Sequence, residues 1–197
     1  MVFIRTIFAA VLVACLVSAA GAAPPPPRPD TGIGLLLVRF PVDASDVPQL
    51  TLYREPGVGR IGEKGVAALP HLAQLLKAAS GEYPLAVTAR KGEWLRIHLD
   101  DAGREGWVEQ RRTWPFLLWE EYLNGKQASL LRGIKKPFYV PRSGPGEQAA
   151  ELEPLTPGRS FRIVAVEGDR VRILIDLAVI AWLRWRDDDG RLLITLE

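Results

Sequence analysis

Apolar and polar residues alternate along most of the chain in short runs, each broken by Gly, Pro or Asp. A period of two with frequent turn residues predicts short strands. Gly34–Phe40 is a short apolar run bounded by Gly and Pro, so it predicts a buried strand, and Leu50–Arg54 alternates as the next one before Pro56-Gly57-Val58-Gly59 breaks the pattern. Further strands are expected at Leu85–Ala89, Trp94–Leu99, Gly106–Val108, Phe138–Val140, Phe161–Val166, Val171–Ile175, Ala181–Trp185 and Leu192–Ile194. The Asp188-Asp189-Gly190 sequence between apolar runs is a hairpin cue. Two segments carry helical spacing instead. Pro70–Ser80 places Leu72, Leu75, Leu76 and Ala79 on one side, and the segment opened by Pro115 does the same with Leu118, Trp119, Tyr122 and Leu123 before Asn124-Gly125.

One β pattern is written twice. The first copy is Lys91-Gly92-Glu93-Trp94-Leu95-Arg96-Ile97 followed by Gly106-Trp107-Val108. The second is Glu167-Gly168-Asp169-Arg170-Val171-Arg172-Ile173 followed by Ala181-Trp182-Leu183. Each copy follows a tyrosine-bearing strand and a Pro/Gly loop, at Tyr53 and at Tyr139. A unit repeated in this way points to one small fold used twice.

These motifs resemble the bacterial SH3-like domain family, in which a Tyr strand and a Pro/Gly loop precede Gly-Xaa-Trp-Xaa-Xaa-Ile/Val and Gly-Trp-Val strands. The first copy matches well; the second has Arg170 in place of the first Trp and Ala181 in place of the Gly. The resemblance implies a mainly β fold of two small SH3-like β-barrels, with a short helical insert in the first and a short connecting helix. Residues 33–112 are expected to form the first barrel, 113–132 the connecting amphipathic helix and 133–197 the second, degenerate barrel. Trp94, Gly106, Trp107 and Trp182 are the structural motif residues in this reading. Tyr53, Tyr139, Trp185, Arg184 and Arg186 are the candidate ligand contacts. Period-2 alternation sets Trp182 and Trp185 on opposite faces, with Arg184 and Arg186 on the side of Trp182. Family members serve as wall-binding or protein-binding modules, often attached to cell-wall enzymes. The implied function is non-catalytic binding of a peptidoglycan glycopeptide or of a periplasmic peptide or protein. An envelope assembly or scaffold protein and a cell-wall hydrolase accessory are the alternatives.

The start of the chain reads as an address. Met1–Arg5 is a short positive start, Ile7–Val17 is an apolar run too short to span a bilayer, and Ala20-Gly21-Ala22 suits cleavage. Residues 1–22 are therefore expected to be a signal peptide, and 23–32 a Pro-rich spacer favouring an extended polyproline II conformation. The mature protein is expected in the periplasm or outside the cell. Cys15 in Leu12-Val13-Ala14-Cys15 also resembles a lipobox, and lipidation there is the alternative, giving an envelope anchor and the one route to a membrane. Cys15 is the only cysteine, so no disulfide is available and stability must come from packing. The formal charge of +2 over 197 residues gives no concentrated basic surface, and no nucleic-acid partner is expected.

No catalytic pattern is legible. His71 and His98 lack metal-ligand spacing, and no Gly-Xaa-Ser-Xaa-Gly occurs. His98 and Asp100 share a face by strand period alone. Asp187-Asp188-Asp189-Gly190 lacks the alternating spacing of a calcium loop and is expected to be a solvated turn. No enzyme activity, metal or cofactor is expected.

Overall fold

The computed structural model describes residues 29–41 and 47–197. The expected signal peptide, Cys15 and most of the spacer lie outside the described residues. Among the described residues no helix is long and apolar enough to cross a membrane. The fold is mainly β, with two antiparallel sheets and almost no helix. The first contains β1 (Gly34–Arg39), β2 (Gln49–Glu55), β3 (Val58–Gly65), β4 (Glu82–Lys91), β5 (Trp94–His98), β6 (Glu105–Glu109) and β7 (Phe116–Leu118). Among the described residues one short α-helix, α1 (Trp119–Leu123), leads into the second sheet. That sheet contains β8 (Gln127–Leu130), β9 (Ser160–Glu167), β10 (Arg170–Ile175), β11 (Val179–Arg184) and β12 (Ile194–Leu196).

The first sheet runs β3-β2-β6-β5-β4-β1-β7 and the second β11-β10-β9-β8-β12. No closed barrel forms among the described residues, which corrects that part of the expectation. Five strands correspond in order, β6-β5-β4-β1-β7 with β11-β10-β9-β8-β12. The pairing corresponds residue by residue. Leu95 faces Val108, Arg96 faces Trp107 and Ile97 faces Gly106; Val171 faces Leu183, Arg172 faces Trp182 and Ile173 faces Ala181. A bulge falls at the same point in each. Arg96 and Ile97 pair with Ala89 and Val87, while Arg172 and Ile173 pair with Ala165 and Ile163. The extra residue bends the strand and sharpens its twist in both places.

The position of β1 explains the unbroken apolar run Leu35–Val38. Leu36 and Val38 enter one core with Leu50, Leu52, Leu95, Ile97 and Val108. Leu35 and Leu37 point the other way, into a larger core with Phe161, Ile163, Ile173, Leu183 and Trp185. Alternation along a strand normally leaves one face polar; here both faces of Leu35–Val38 meet a core, and the only polar residue of β1 is Arg39 at its exposed end. The two sheets are thereby packed together rather than strung on a linker.

Three expected elements differ. The Pro70–Ser80 insert forms one loose turn, with the Leu76 N–H donating to the Leu72 carbonyl and the Ala78 N–H to the Ala73 carbonyl. Its other backbone groups are drawn outward. The Leu72 N–H donates to the Pro84 carbonyl, and the Leu75 carbonyl accepts from the Leu196 N–H and from the Thr195 hydroxyl. So short a segment cannot offset helix nucleation when its backbone has better partners elsewhere. The connecting segment is only partly helical, because Phe116–Leu118 pairs with β1 as a strand and Trp119–Leu123 alone forms the helix. The expected strand at Phe138–Val140 is instead part of a 3-10 turn over Lys136–Tyr139, where Pro137 has no N–H for a ladder.

The last residues of the expected spacer are tied to the second sheet. The Thr31 N–H donates to the Gly190 carbonyl, the Leu192 N–H to the Pro29 carbonyl, and the Arg186 guanidinium to the Gly32 carbonyl. Gly32 has φ +57, and a Cβ there would lie 2.2 Å from the Val87 carbonyl oxygen, so only glycine fits. At the junction Trp119 donates its indole N–H to the Thr31 carbonyl at 2.8 Å and lies 5.0 Å from Trp185. Burial there, reinforced by Glu82, pushes the Tyr122 hydroxyl up to about 12.

Candidate binding face

Inward positions of β5 and β6 are Leu95, Ile97, Gly106 and Val108, so Trp94, Arg96 and Trp107 point outward by strand parity. On β2 the same parity buries Leu50 and Leu52 and turns Tyr53 out. Because Tyr53 pairs with Trp107, and Arg96 with Trp107, three aromatic side chains from neighbouring strands meet on one outer face. Tyr53 and Trp94 pack edge to face at 5.2 Å. All three rings are half-buried, leaving aromatic surface open beside polar groups. The Arg96 guanidinium sits 5.8 Å from the Trp107 ring, within reach of a cation–π contact. It is held there by the Thr88 hydroxyl at 3.1 Å and the Glu105 carboxylate at 3.2 Å.

Two further features extend the face. The Pro56-Gly57 turn between Glu55 and Val58 brings Gly57 against Trp94 and leaves Val58 67% exposed. β2 and β6 pair only at Tyr53 and Trp107, and a groove of about 410 Å³ opens where they part. Thr51, Tyr53, Glu109, Gln110, Arg111 and Trp114 are among its walls.

Of the sequence-derived contacts, Tyr53 lies in this cluster, together with the motif residues Trp94 and Trp107. Gly106 faces inward, where an added Cβ would come within 3.1 Å of Leu99. The other contacts lie elsewhere. Tyr139 packs against the larger core and donates its hydroxyl to the Leu131 carbonyl at 2.8 Å. Trp185 is 1% exposed and donates its indole N–H to the Gly168 carbonyl, so it offers no ring face to solvent. Arg186 stacks on Trp185 at 4.9 Å and pairs with Asp169, rather than flanking Trp182. Trp182 itself is 8% exposed.

The pairing also corrects which residue matches Tyr53. Tyr53 faces Trp107 in the first sheet, and Arg142 faces Trp182 in the second. Arg142, not Tyr139, is the positional counterpart. Arg170 stands at the position of Trp94. Sequence reading named Trp94 and Trp107 as structural motif residues and not as ligand contacts; the parity of Leu95-Ile97 and Gly106-Val108 was the signal that they face out.

A separate cleft of about 610 Å³ has His71, His98, Asp100, Asp101, Asp30 and Arg191 in its lining. Burial holds His71 below the ordinary histidine value, and it packs edge-on to Tyr83. Both ring nitrogens of His98 are buried without a partner among the described residues. Asp100 serves Arg104 and the turn N–H of Ala102 instead, and the Arg104 hydrogen bond draws its carboxyl below the usual range. No group of three or more His, Cys, Asp or Glu side chains able to hold a metal occurs among the described residues. In the Asp187–Gly190 turn, Asp187 accepts the backbone N–H groups of Asp189 and Arg191, which caps the turn.

No family model matches the chain, and no curated protein is similar to it. Among solved structures, the chain is similar to the endolysin LysPBC5 CBD, with 15% identity over 86% of this chain and 97% of that one, at a TM-score of 0.26. A likeness at that score carries no argument for this chain.

Proposed function

We propose that the chain is a non-catalytic, exported binding protein of two SH3-like units, and that the first unit holds an extended cell-wall glycopeptide or periplasmic peptide across Tyr53, Trp94 and Trp107. The observation that carries this reading is the outward meeting of those rings on three adjoining strands beside an open groove. Flat aromatic faces next to anchored polar groups accept an extended strand at low entropic cost, because the receptor side chains are already fixed. The matching register of the two motifs supports the SH3-like reading of both units. Export rests on the leader at residues 1–22, with lipidation at Cys15 as its variant.

Sedimentation with purified sacculi tests the proposal. Intact protein is expected in the pellet, with Trp107→Ala and Trp94→Ala reducing the bound fraction by about tenfold. Intact protein that stays wholly in solution overturns wall binding.

A second reading, an envelope scaffold with no small ligand, is favoured by the shared larger core, which takes side chains from both sheets. Cross-linking in cells, followed by identification of a stoichiometric envelope partner that persists with Trp107→Ala, distinguishes it.

A further inference from the structure

The second sheet carries its own outward cluster where the first has aromatics, and its chemistry is different. Arg142 pairs with Trp182, and Arg170 pairs directly with Arg184, so strand parity sets all four on one face. Arg142, Arg170 and Arg184 line a single pocket of about 370 Å³, together with Glu147, Gln148 and the apolar Pro137, Phe138 and Val140.

The three arginines are not equally engaged. Arg142 is fixed by the Glu151 carboxylate at 2.8 Å and by the Glu147 and Ala149 carbonyls. Arg184 gives its Nη2 to Asp188 at 2.5 Å, but its buried Nε–H has no acceptor among the described residues. Arg170 has no ion pair or hydrogen bond from its guanidinium among the described residues; the nearby Asp169 pairs with Arg186. Burial first, then Arg184 and Arg142, depress Arg170 below the ordinary arginine value, and this outweighs Glu147 and Asp169. The directly paired Arg170 and Arg184 therefore present unmatched donors in a locally positive pocket with an apolar wall. A buried donor without an acceptor is costly, and a planar anion satisfies an arginine fork with parallel hydrogen bonds.

We propose that this pocket binds a peptide carboxylate, held by the Arg170 guanidinium and the Arg184 Nε–H, with the neighbouring apolar side chain against Phe138 and Val140. A singly charged, flat anion fits better than a phosphate, because Glu147 lines the same pocket and Asp188 and Glu151 already offset two of the arginines. The carboxylate can come from a peptide C-terminus or from an acidic side chain.

The probes are three short peptides on the full chain: acetyl-Ala-Ala-Val with a free C-terminus, the same peptide as its amide, and acetyl-Ala-Glu-Val amide. Titration is followed by the arginine Nε–Hε resonances in NMR. The Arg170 and Arg184 signals are expected to shift with the free acid or with the glutamyl peptide, whichever source is correct, and not with the neutral amide. Arg170→Met is expected to weaken binding about tenfold or more, and Arg170→Lys to recover only part of it, since an ammonium lacks the fork. Equal response to acid and amide, no response to either acid, or unchanged affinity in Arg170→Lys overturns the proposal. Sacculus binding of the intact chain separates the two readings: no carboxylate binding by a chain that still binds the wall defeats this one alone, and carboxylate binding by a chain that stays in solution defeats the wall reading alone.

Discussion

The outer faces of the two sheets share a backbone and differ in chemistry. At matched positions the first presents Tyr53, Trp94 and Trp107, the second Arg142, Arg170 and Trp182. Pairing, bulge and strand order are common to both, so backbone geometry does not account for the difference. Inward residues keep the strands in register, while outward ones such as Trp94 and Arg170 can differ at less cost, because they are only partly buried. The departures from the repeat at Arg170 and Arg142 mark a change of surface, with the frame intact.

Trp185→Ala is the strongest test of this division. Its ring is fully buried between both halves, and its removal is expected to cost about 3–5 kcal/mol in urea unfolding. Trp107→Ala, on the outer face, is expected to cost about 1–2 kcal/mol. Equal losses would make Trp107 a structural residue and remove the binding face. The joint core gives the next effect. Leu36→Ala and Leu37→Ala enter different cores from adjacent positions of β1, and each is expected to cost about 2–5 kcal/mol. Unfolding should remain one transition in both variants, seen as coincident fluorescence and circular dichroism curves. Two separated transitions would show that the halves fold apart.

A smaller effect probes the inward match between Gly106 and Ala181. Gly106→Ala forces Leu99 to yield by a few tenths of an ångström and is expected to cost about 1 kcal/mol, whereas Ala181 already fills the corresponding site. A thermal midpoint unchanged or raised in Gly106→Ala would show that the inner faces tolerate the swap. The smallest effect is electrostatic. Burial lowers His71, so the folded protein binds fewer protons than the unfolded chain below 6.5. Its contribution is fully present above 6.5 and is lost as pH falls through 6.5 toward the lower folded value. The thermal midpoint should drop between pH about 7.5 and about 5.5, and His71→Gln should flatten that slope. A slope unchanged in the variant would assign the acid sensitivity to other groups.

Much of the frame was legible along the chain. Alternation located β2, β4, β5, β6, β9, β10 and β11, and the written repeat anticipated their matching order. Helical spacing misled at Pro70–Ser80 and at Pro115–Leu118, where the apolar residues fit a helix but the backbone bonded to Pro84, Leu196 and β1. Of the candidate contacts, Tyr53 met the aromatic cluster, while Tyr139 and Trp185 turned into the larger core. Parity sets Trp185 with the inward Ala181 and Leu183, opposite Trp182; alternation separated the two rings but did not say which of them met the core.

What the sequence by itself determined is most of the strands and the turns between them, because a period of two and a glycine at a turn act over a few bonds. Tertiary structure alone decided that β1 serves two cores, that Arg142 rather than Tyr139 stands opposite Trp182, and that Arg170 and Arg184 share a pocket. These facts join residues far apart in the chain, and only long-range packing and strand pairing bring such residues together.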